Sequence, residues 1–365
     1  MGDNHTFKEP FLREWGAFTK AYVIIIVVLL SIATVLDALI IGVLIHYKPL
    51  RKPSNVILAN FLLGNVIFTQ AHLGHLCVSL ANSHYMGGQV YCDFAGVILN
   101  ITVSNELFSL AFMSLDRFLA VKYSYAISSK TVLLTSIVAW CLFTLSATLA
   151  FFDDDHMVLR LSANCGHSTL VFHGHIGWAA VSSLVAMLDF TILIIVMVVL
   201  YILLILHIRN AGKRLRNSII TGVDESFRLA SRKEEARLSD RHTNLASVGQ
   251  PDASRTSDCW MKRNLSIHYS IPILKGAKLL NLSAQRSIVK KLLLLTIVTV
   301  VMWTPVLIVM GYESVTATLL PEELIFFTTL LVFGQPLVDG LVILYINVPI
   351  RSAIRRTLAP LLNRW

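Results

Sequence analysis

The sequence predicts an all-α integral membrane protein: a seven-transmembrane helix bundle followed by a short amphipathic cytoplasmic helix. Three observations carry this. The chain of 365 residues is 55% hydrophobic and 15% charged, whereas a soluble domain holds about 25% charged residues. Its apolar residues gather into seven runs, each long enough to cross a bilayer; a crossing takes about 20 residues, because in lipid the backbone must satisfy its own hydrogen bonds. The basic residues fall almost wholly on one side of those runs.

Residues 1–20 are polar and charged, unlike the apolar core of a cleaved signal peptide, so the first run is expected to act as its own insertion signal. The runs are Ala21–Ile45, Ser54–Leu80, Tyr91–Val121, Val132–Phe152, Ile176–Ile208, Val289–Met310 and Leu324–Ile346. Most exceed a bare span, which implies tilt or extension past the lipid. Leu292–Met310 holds no charge, while several others contain acids. This divides the chain into an extracellular N-terminus (1–20), helices 1–5 with their loops (21–208), a third cytoplasmic loop (209–285), helices 6 and 7 (286–346) and a cytoplasmic helix with tail (347–365).

Lysine and arginine set the orientation. With the N-terminus outside, the outer segments hold Lys8, Arg13, Lys20 and Arg160, and the remaining 27 of 31 basic residues lie at or beyond cytoplasmic helix ends. This is the positive-inside rule. It also accounts for the net charge of +9 as a basic face beside anionic lipid, not as a nucleic-acid surface. A plasma-membrane protein with this polarity exposes the sequon Asn4-His5-Thr6 for glycosylation. The loop 209–285 is polar and serine-rich with 14 basic residues, a composition that predicts disorder apart from helical extensions at each end. Arg228–Ser231 and Arg263–Ser266 resemble basic-directed kinase sites. Beyond the last run, Ile350, Ile354 and Leu358 alternate with Arg351, Arg355 and Arg356, the pattern of a helix lying on the inner leaflet. No internal repeat, nucleotide-binding glycine loop or His-Glu-x-x-His motif argues for a transporter or an enzyme. The five cysteines (Cys77, Cys92, Cys141, Cys165 and Cys259) lack metal or redox spacing.

The third run ends Ser114-Leu115-Asp116-Arg117-Phe118, and Cys92 stands 25 residues before Arg117. On one helix that separation is about 37 Å, so the two residues sit at opposite membrane faces. Trp140 lies in the fourth run, Tyr201 in the fifth and Met302-Trp303-Thr304-Pro305 in the sixth. Together, in order and at matching depth, these motifs resemble the rhodopsin-like (class A) G-protein-coupled receptors. Asp-Arg-Phe stands for the family's Asp-Arg-Tyr. Cys165, in the loop before the fifth run, is the natural partner of Cys92 in a bridge that ties this loop over the bundle. The resemblance implies an extracellular ligand, a heterotrimeric G protein, arrestin and receptor kinases as partners. It assigns Asp116, Arg117 and Tyr201 to coupling, and Trp303 and Pro305 to a hinge in the sixth helix. Asn347 and Arg351 match the junction to the cytoplasmic helix.

The departures from the family pattern cluster. Asn65 stands where the second helix has an aspartate, and Asp37 where the first has an asparagine. Glu106 replaces a small polar residue. Asp339-Gly340-Leu341-Val342-Ile343 replaces Asn-Pro-x-x-Tyr. Asp37, Glu106 and Asp339 each lie about 8–11 residues from a cytoplasmic helix end, or about 12–17 Å deep. Three carboxyls therefore converge with Asn65 on one mid-membrane pocket, where bare charges are prohibitive. The cluster is expected either to bind a cation, sodium by resemblance, or to titrate on activation, or to stand as a rearranged hydrogen-bond network.

On the outer side, Leu99 occupies the place of the amine receptors' aspartate and Phe333 that of the opsins' lysine; neither a conventional monoamine receptor nor a photopigment is implied. Asn100, Ser104, Asp189, Trp303, Tyr312 and Thr329 are the ligand candidates by family position. His72 and His75 share a helix face, and His156, His167, His173 and His175 follow outside, beside Asp153-Asp154-Asp155. Histidine titrates near neutral pH, so a proton- or cation-responsive receptor is the alternative reading, with a receptor-like protein that no longer couples as another.

Overall fold

A computed structural model describes residues 14–123, 125–148, 158–160, 164–166, 188–214, 289–309, 311–312 and 320–362, with the single residues 217, 221 and 228. Asn4, Asp153 to His156, His167, His173, His175, the start of the fifth run, Ser231, Cys259 and Arg263–Ser266 lie outside the described residues, and Cys165 is described in its backbone alone. The helices are α1 (Ala17–His46), α2 (Pro53–Asn82), α3 (Gly88–Tyr123), α4 (Ser129–Thr148), α5 (Leu188–Arg214), α6 (Val289–Val309), α7 (Glu322–Ile346) and α8 (Val348–Leu362). The first seven are each long and apolar enough to cross a membrane. Proline at the first position starts α2, where a missing N–H costs nothing. Between α4 and α5 a short antiparallel hairpin pairs β1 (Val158–Arg160) with β2 (Asn164–Gly166). β2 lies against α3. The sequence did not announce this hairpin, because three-residue strands carry no readable alternation.

Each helix turns a stripe inward. On α1 the buried residues are Tyr22, Ile26, Leu30, Ala33, Asp37, Ile40 and Leu44, a spacing of three and four that matches the helical repeat. Asp37 belongs to that stripe and so points into the bundle. Ile24, Ile25, Val28, Ile32 and Val35 fill the other faces and are exposed. In water such a surface would aggregate, whereas in a bilayer it meets acyl chains. α1 packs on α2 and α7, α2 also packs on α3, α4 and α7, and α3 packs on α4.

Because lipid gives little hydrophobic drive between helices, small residues and interhelical hydrogen bonds set the contacts. Asn60 of α2 donates to Asn105 Oδ1 and Ser109 Oγ of α3, both at 2.9 Å, and accepts from Trp140 Nε1 of α4 at 2.9 Å. Gly64 makes room for this: a Cβ there would sit 2.9 Å from Asn105 Nδ2. Thr34 of α1 donates to Thr69 of α2 at 2.9 Å. At the inner end α8 buries Ile350, Ala353 and Ile354 while Arg355 and Arg356 stay exposed. Tyr47 Oη meets Thr357 Oγ1 at 3.1 Å, joining the inner end of α1 to α8. The chain divides into two compact units, Met1–Tyr201 with Lys291–Trp365, and Ile202–Lys290. The described part of the second consists of the inner ends of α5 and α6 with residues 217, 221 and 228.

Asn60→Ala removes the shared partner of three helices. Its expected effect is a loss of about 1–3 kcal/mol, measured as a lower midpoint in thermal unfolding of the purified protein.

Candidate functional site

The three acids singled out from the sequence do come together. Asp37 on α1, Glu106 on α3 and Asp339 on α7 are all buried, as are Asn65 on α2, Thr299 on α6 and Gln335 on α7. Gln335 stands one helical turn before Asp339, so both side chains share a face. Gln335 Nε2 donates to Glu106 Oε1, and to Asp339 Oδ2 at 3.0 Å. Thr299 Oγ1 donates to Asp339 Oδ1 at 3.4 Å. The carboxyls of Glu106 and Asp339 are within hydrogen-bonding reach of one another, and Asp37 is close enough to interact electrostatically with both.

Asp37 reaches α7 through Gly340. A Cβ at Gly340 would lie 2.7 Å from Asp37 Oδ1 and 2.8 Å from Leu36 Cδ2. The glycine that replaces the family's proline therefore leaves space for the displaced acid. Both oxygens of Asp37 and the Nδ2 of Asn65 are buried without a hydrogen-bond partner, although Asn65 lies near both Asp37 and Asp339.

Magnitudes decide which form the cluster takes. Two carboxylates about 4 Å apart repel by about 4 kcal/mol even at an effective dielectric near 20. A hydrogen bond to a charged group returns about 1.5–3 kcal/mol. The two bonds from Gln335 together return about 3–6 kcal/mol, comparable to that repulsion, so the several kcal/mol it costs to desolvate each buried charge is left without compensation. A sodium ion, implied by resemblance, would need oxygen donors around it. Between Glu106 and Asp339 that space is taken by the N–H of Gln335. Among the described residues no group of three or more His, Cys, Asp or Glu is arranged to hold a metal ion. The pair does not fit a carboxylate cage, and of the three acids Asp37 is the one to which neither Gln335 nor Thr299 donates.

Adjacent to the cluster is a small cavity, lined on α2 by Asn65 and Phe68, on α3 by Thr102, Val103 and Glu106, and by Trp303, Val332, Gln335 and Pro336. Trp303 Nε1, like Asn65 Nδ2, is buried without a partner. Pro336 has no N–H to offer the Val332 carbonyl one turn back. Phe190 of α5 packs edge-on against Trp303, with ring centroids 6.3 Å apart. Of the ligand candidates, Trp303 alone is on this cavity's wall. Asn100, Ser104 and Asp189 are half-buried, Tyr312 is exposed, and Thr329 bonds the Ile325 carbonyl of its own helix at 2.6 Å. His72 donates from Nδ1 to the Phe68 carbonyl at 2.9 Å, with its ring against Phe68 and Phe333. His75 instead stacks on Tyr91 at 3.6 Å and meets Ser79.

At the inner end of α3, Asp116 and Arg117 form an ion pair of 3.5 Å, the arginine 24% exposed and the aspartate 7%. Tyr201 is buried; it accepts a hydrogen bond from Thr296 of α6 at 3.2 Å and lies within electrostatic reach of Arg117. Cys92 is buried and disulfide-bonded, whereas Cys77 and Cys141 are free.

The profile of the 7 transmembrane receptor (rhodopsin family) matches residues 37–342, from the acid of α1 to the end of α7. The chain belongs to this family. Squid rhodopsin has the same fold, with a TM-score of 0.72 over 97% of this chain and 90% of that one at 14% identity. Pinopsin of Columba livia is 30% identical over 112 residues, covering 31% of this chain and 32% of the relative. The tachykinin-like peptides receptor 86C of Drosophila melanogaster is 22% identical over 135 residues, covering 36% and 27%. The C-C chemokine receptor type 1 of Macaca fascicularis is 27% identical over 139 residues, covering 36% and 39%. The matched stretches span about a third of each relative's length. This rhodopsin-family chain is thus a multi-pass membrane receptor and not an enzyme, and it is only a distant relative of the opsins.

The sequence missed Gln335, Thr299 and Gly340 as parts of the cluster. Gln335 was open to detection, since it lies four residues before Asp339. Gly340→Ala is expected to destabilise the protein by about 1–3 kcal/mol through overpacking, and the same change made on Asp37→Ala is expected to cost clearly less. Thermal unfolding of the two single variants and the double variant checks this.

Proposed function

We propose that this receptor carries an extracellular signal to a heterotrimeric G protein by outward displacement of the inner half of α6. The observation that carries the reading is Arg117: it sits at the inner end of α3, partly exposed, held by a 3.5 Å pair to its neighbour Asp116. The charge-free stretch Leu292–Met310 gives α6 no acid in the membrane with which to lock that arginine. On this side α6 is held to α5 by the neutral Thr296–Tyr201 bond. A neutral hydrogen bond contributes about 0.5–1.5 kcal/mol, so a modest preference of the ligand for the open form suffices to break it. Arg117 then becomes available to the acidic or carbonyl groups of a partner helix. Pro305, which lacks the N–H owed to the Val301 carbonyl, supplies the hinge. Trp303, packed on Phe190, relays movement of α5 from the ligand side.

In this reading the N-terminus and Asn4 are outside the plasma membrane, and a Cys92–Cys165 bridge anchors β2 to α3 over the bundle. Arrestin and receptor kinases use the same inner face and the serine-rich third loop. The ligand enters from outside and is sensed by residues among Asn100, Ser104, Asp189, Trp303, Tyr312 and Thr329. A sodium ion, where one is bound, is held at Asp37.

The test is guanine-nucleotide exchange on representatives of each G-protein class with the full chain in lipid nanodiscs. Basal or ligand-driven exchange is expected with at least one class, reduced at least about tenfold by Arg117→Ala, which corresponds to 1.4 kcal/mol. A folded receptor that drives no exchange with any class, or one indifferent to Arg117→Ala, supports the competing reading of a receptor fold that does not couple.

A further inference from the structure

We propose that Glu106 and Asp339 form a buried proton-binding site, one proton shared between two carboxyls, and that a water in the cavity beside Trp303 is the partner with which this proton exchanges. The proposal rests on the seven-helix membrane fold and not on G-protein coupling.

Four observations lead to it. First, the two carboxyls are within hydrogen-bonding reach of each other, and the same amide, Gln335 Nε2, donates to both. Two acceptor-only carboxylates cannot bond each other, whereas a carboxylic acid and a carboxylate can. Second, the groups facing the pair hold no base. α1 presents Asp37, α2 Asn65, α6 Thr299 and α7 Gln335; the titratable members are all acids, and among the described residues no lysine, arginine or histidine joins them. Without a counter-charge, a proton is the compensation chemically available to a buried acid pair. Third, the amide of Gln335 occupies the position between the acids that a bridging cation would need.

Fourth, Trp303 Nε1 is more than nine-tenths buried, unpartnered, and on the wall of the cavity that Asn65, Glu106 and Gln335 also line. The indole N–H, the Asn65 amide and the Glu106 carboxyl around one cavity are the partners of a water molecule, which needs two to four polar contacts to be held in a protein interior. Water placed there touches Glu106 on one side and Trp303 on the other. Movement of the indole therefore opens or breaks the path to the shared proton. The site takes up or releases H⁺ with no other reactant: the O–H bond on one carboxyl breaks as one to water forms.

The experiment is infrared difference spectroscopy of the full chain, purified in a detergent without ester groups, comparing H₂O with D₂O. The background carries Asp37→Asn and Asp189→Asn, so that those membrane acids do not contribute. At neutral pH a protonated-carboxyl C=O band that shifts on deuteration is expected. Glu106→Gln and Asp339→Asn are each expected to abolish it, because the acid left behind keeps the Gln335 donor and loses its like-charged neighbour. Replacing sodium by choline is expected to leave the band in place. Trp303→Phe, which deletes the indole N–H, is expected to change the rate of H/D exchange of the band severalfold. The proposal is overturned if the background protein shows no deuteration-sensitive band, or if the band survives either acid substitution at full intensity. The first of these outcomes needs no variant of the pair to fold. A band that is absent in sodium and appears only when sodium is replaced by choline would also overturn the proposal, in favour of an ion-held pair.

Discussion

Three carboxyls meet in the middle of a bilayer with no basic side chain facing them among the described residues, and much of this receptor's design follows from making that tolerable. Ionised acids in lipid are costly enough that their charge must be cancelled or spread. Gln335 donates to two of them, Thr299 to one, and Gly340 lets the third lie flat against a bare stretch of α7. None of these three residues has an obvious role without the acids. With them, α1, α3, α6 and α7 are joined at one depth, so that a change in the cluster is felt by four helices at once.

This arrangement lies between two regions. On the outer side are Trp303, Phe190 and the cavity. On the inner side are Arg117, Asp116, Tyr201 and Thr296. Thr299 and Thr296 lie on α6 between the tryptophan and the inner end, one bonded to α7 and the other to α5. The sixth helix is thus held by short neutral donors along a stretch without charge. Such contacts are weak singly and easily exchanged, which suits a helix whose displacement is the output.

Much of this was legible in the sequence because the bilayer imposes long apolar runs, and the described helices follow those runs closely. The depth of Asp37 was readable from its distance to the helix end, while its inward direction was not, because α1 is apolar on every face. Arg117, Trp140, Tyr201 and Trp303 stood out because bulky or charged groups interrupt apolar runs at positions that match the family's motifs. What escaped was relational. Gln335 reads as one more polar residue on α7 until Glu106 is brought to it from another helix. Gly340 reads as a helix-weakening residue until Asp37 is seen to lie 2.7 Å from where its Cβ would be. The divergent paths of His72 and His75 depend on aromatic partners from α7 and α3, which helix periodicity does not report.

The account stands on Glu106 and Asp339 acting as one unit and not as two separate acids. A double-mutant cycle of Glu106→Gln and Asp339→Asn, read as unfolding free energy of the purified full chain, tests this most directly. The account predicts strong non-additivity, with the second neutralisation changing stability by clearly less than the same substitution made alone, and a coupling well above the roughly 0.3–0.5 kcal/mol seen between independent sites. Additive effects within that margin would contradict it.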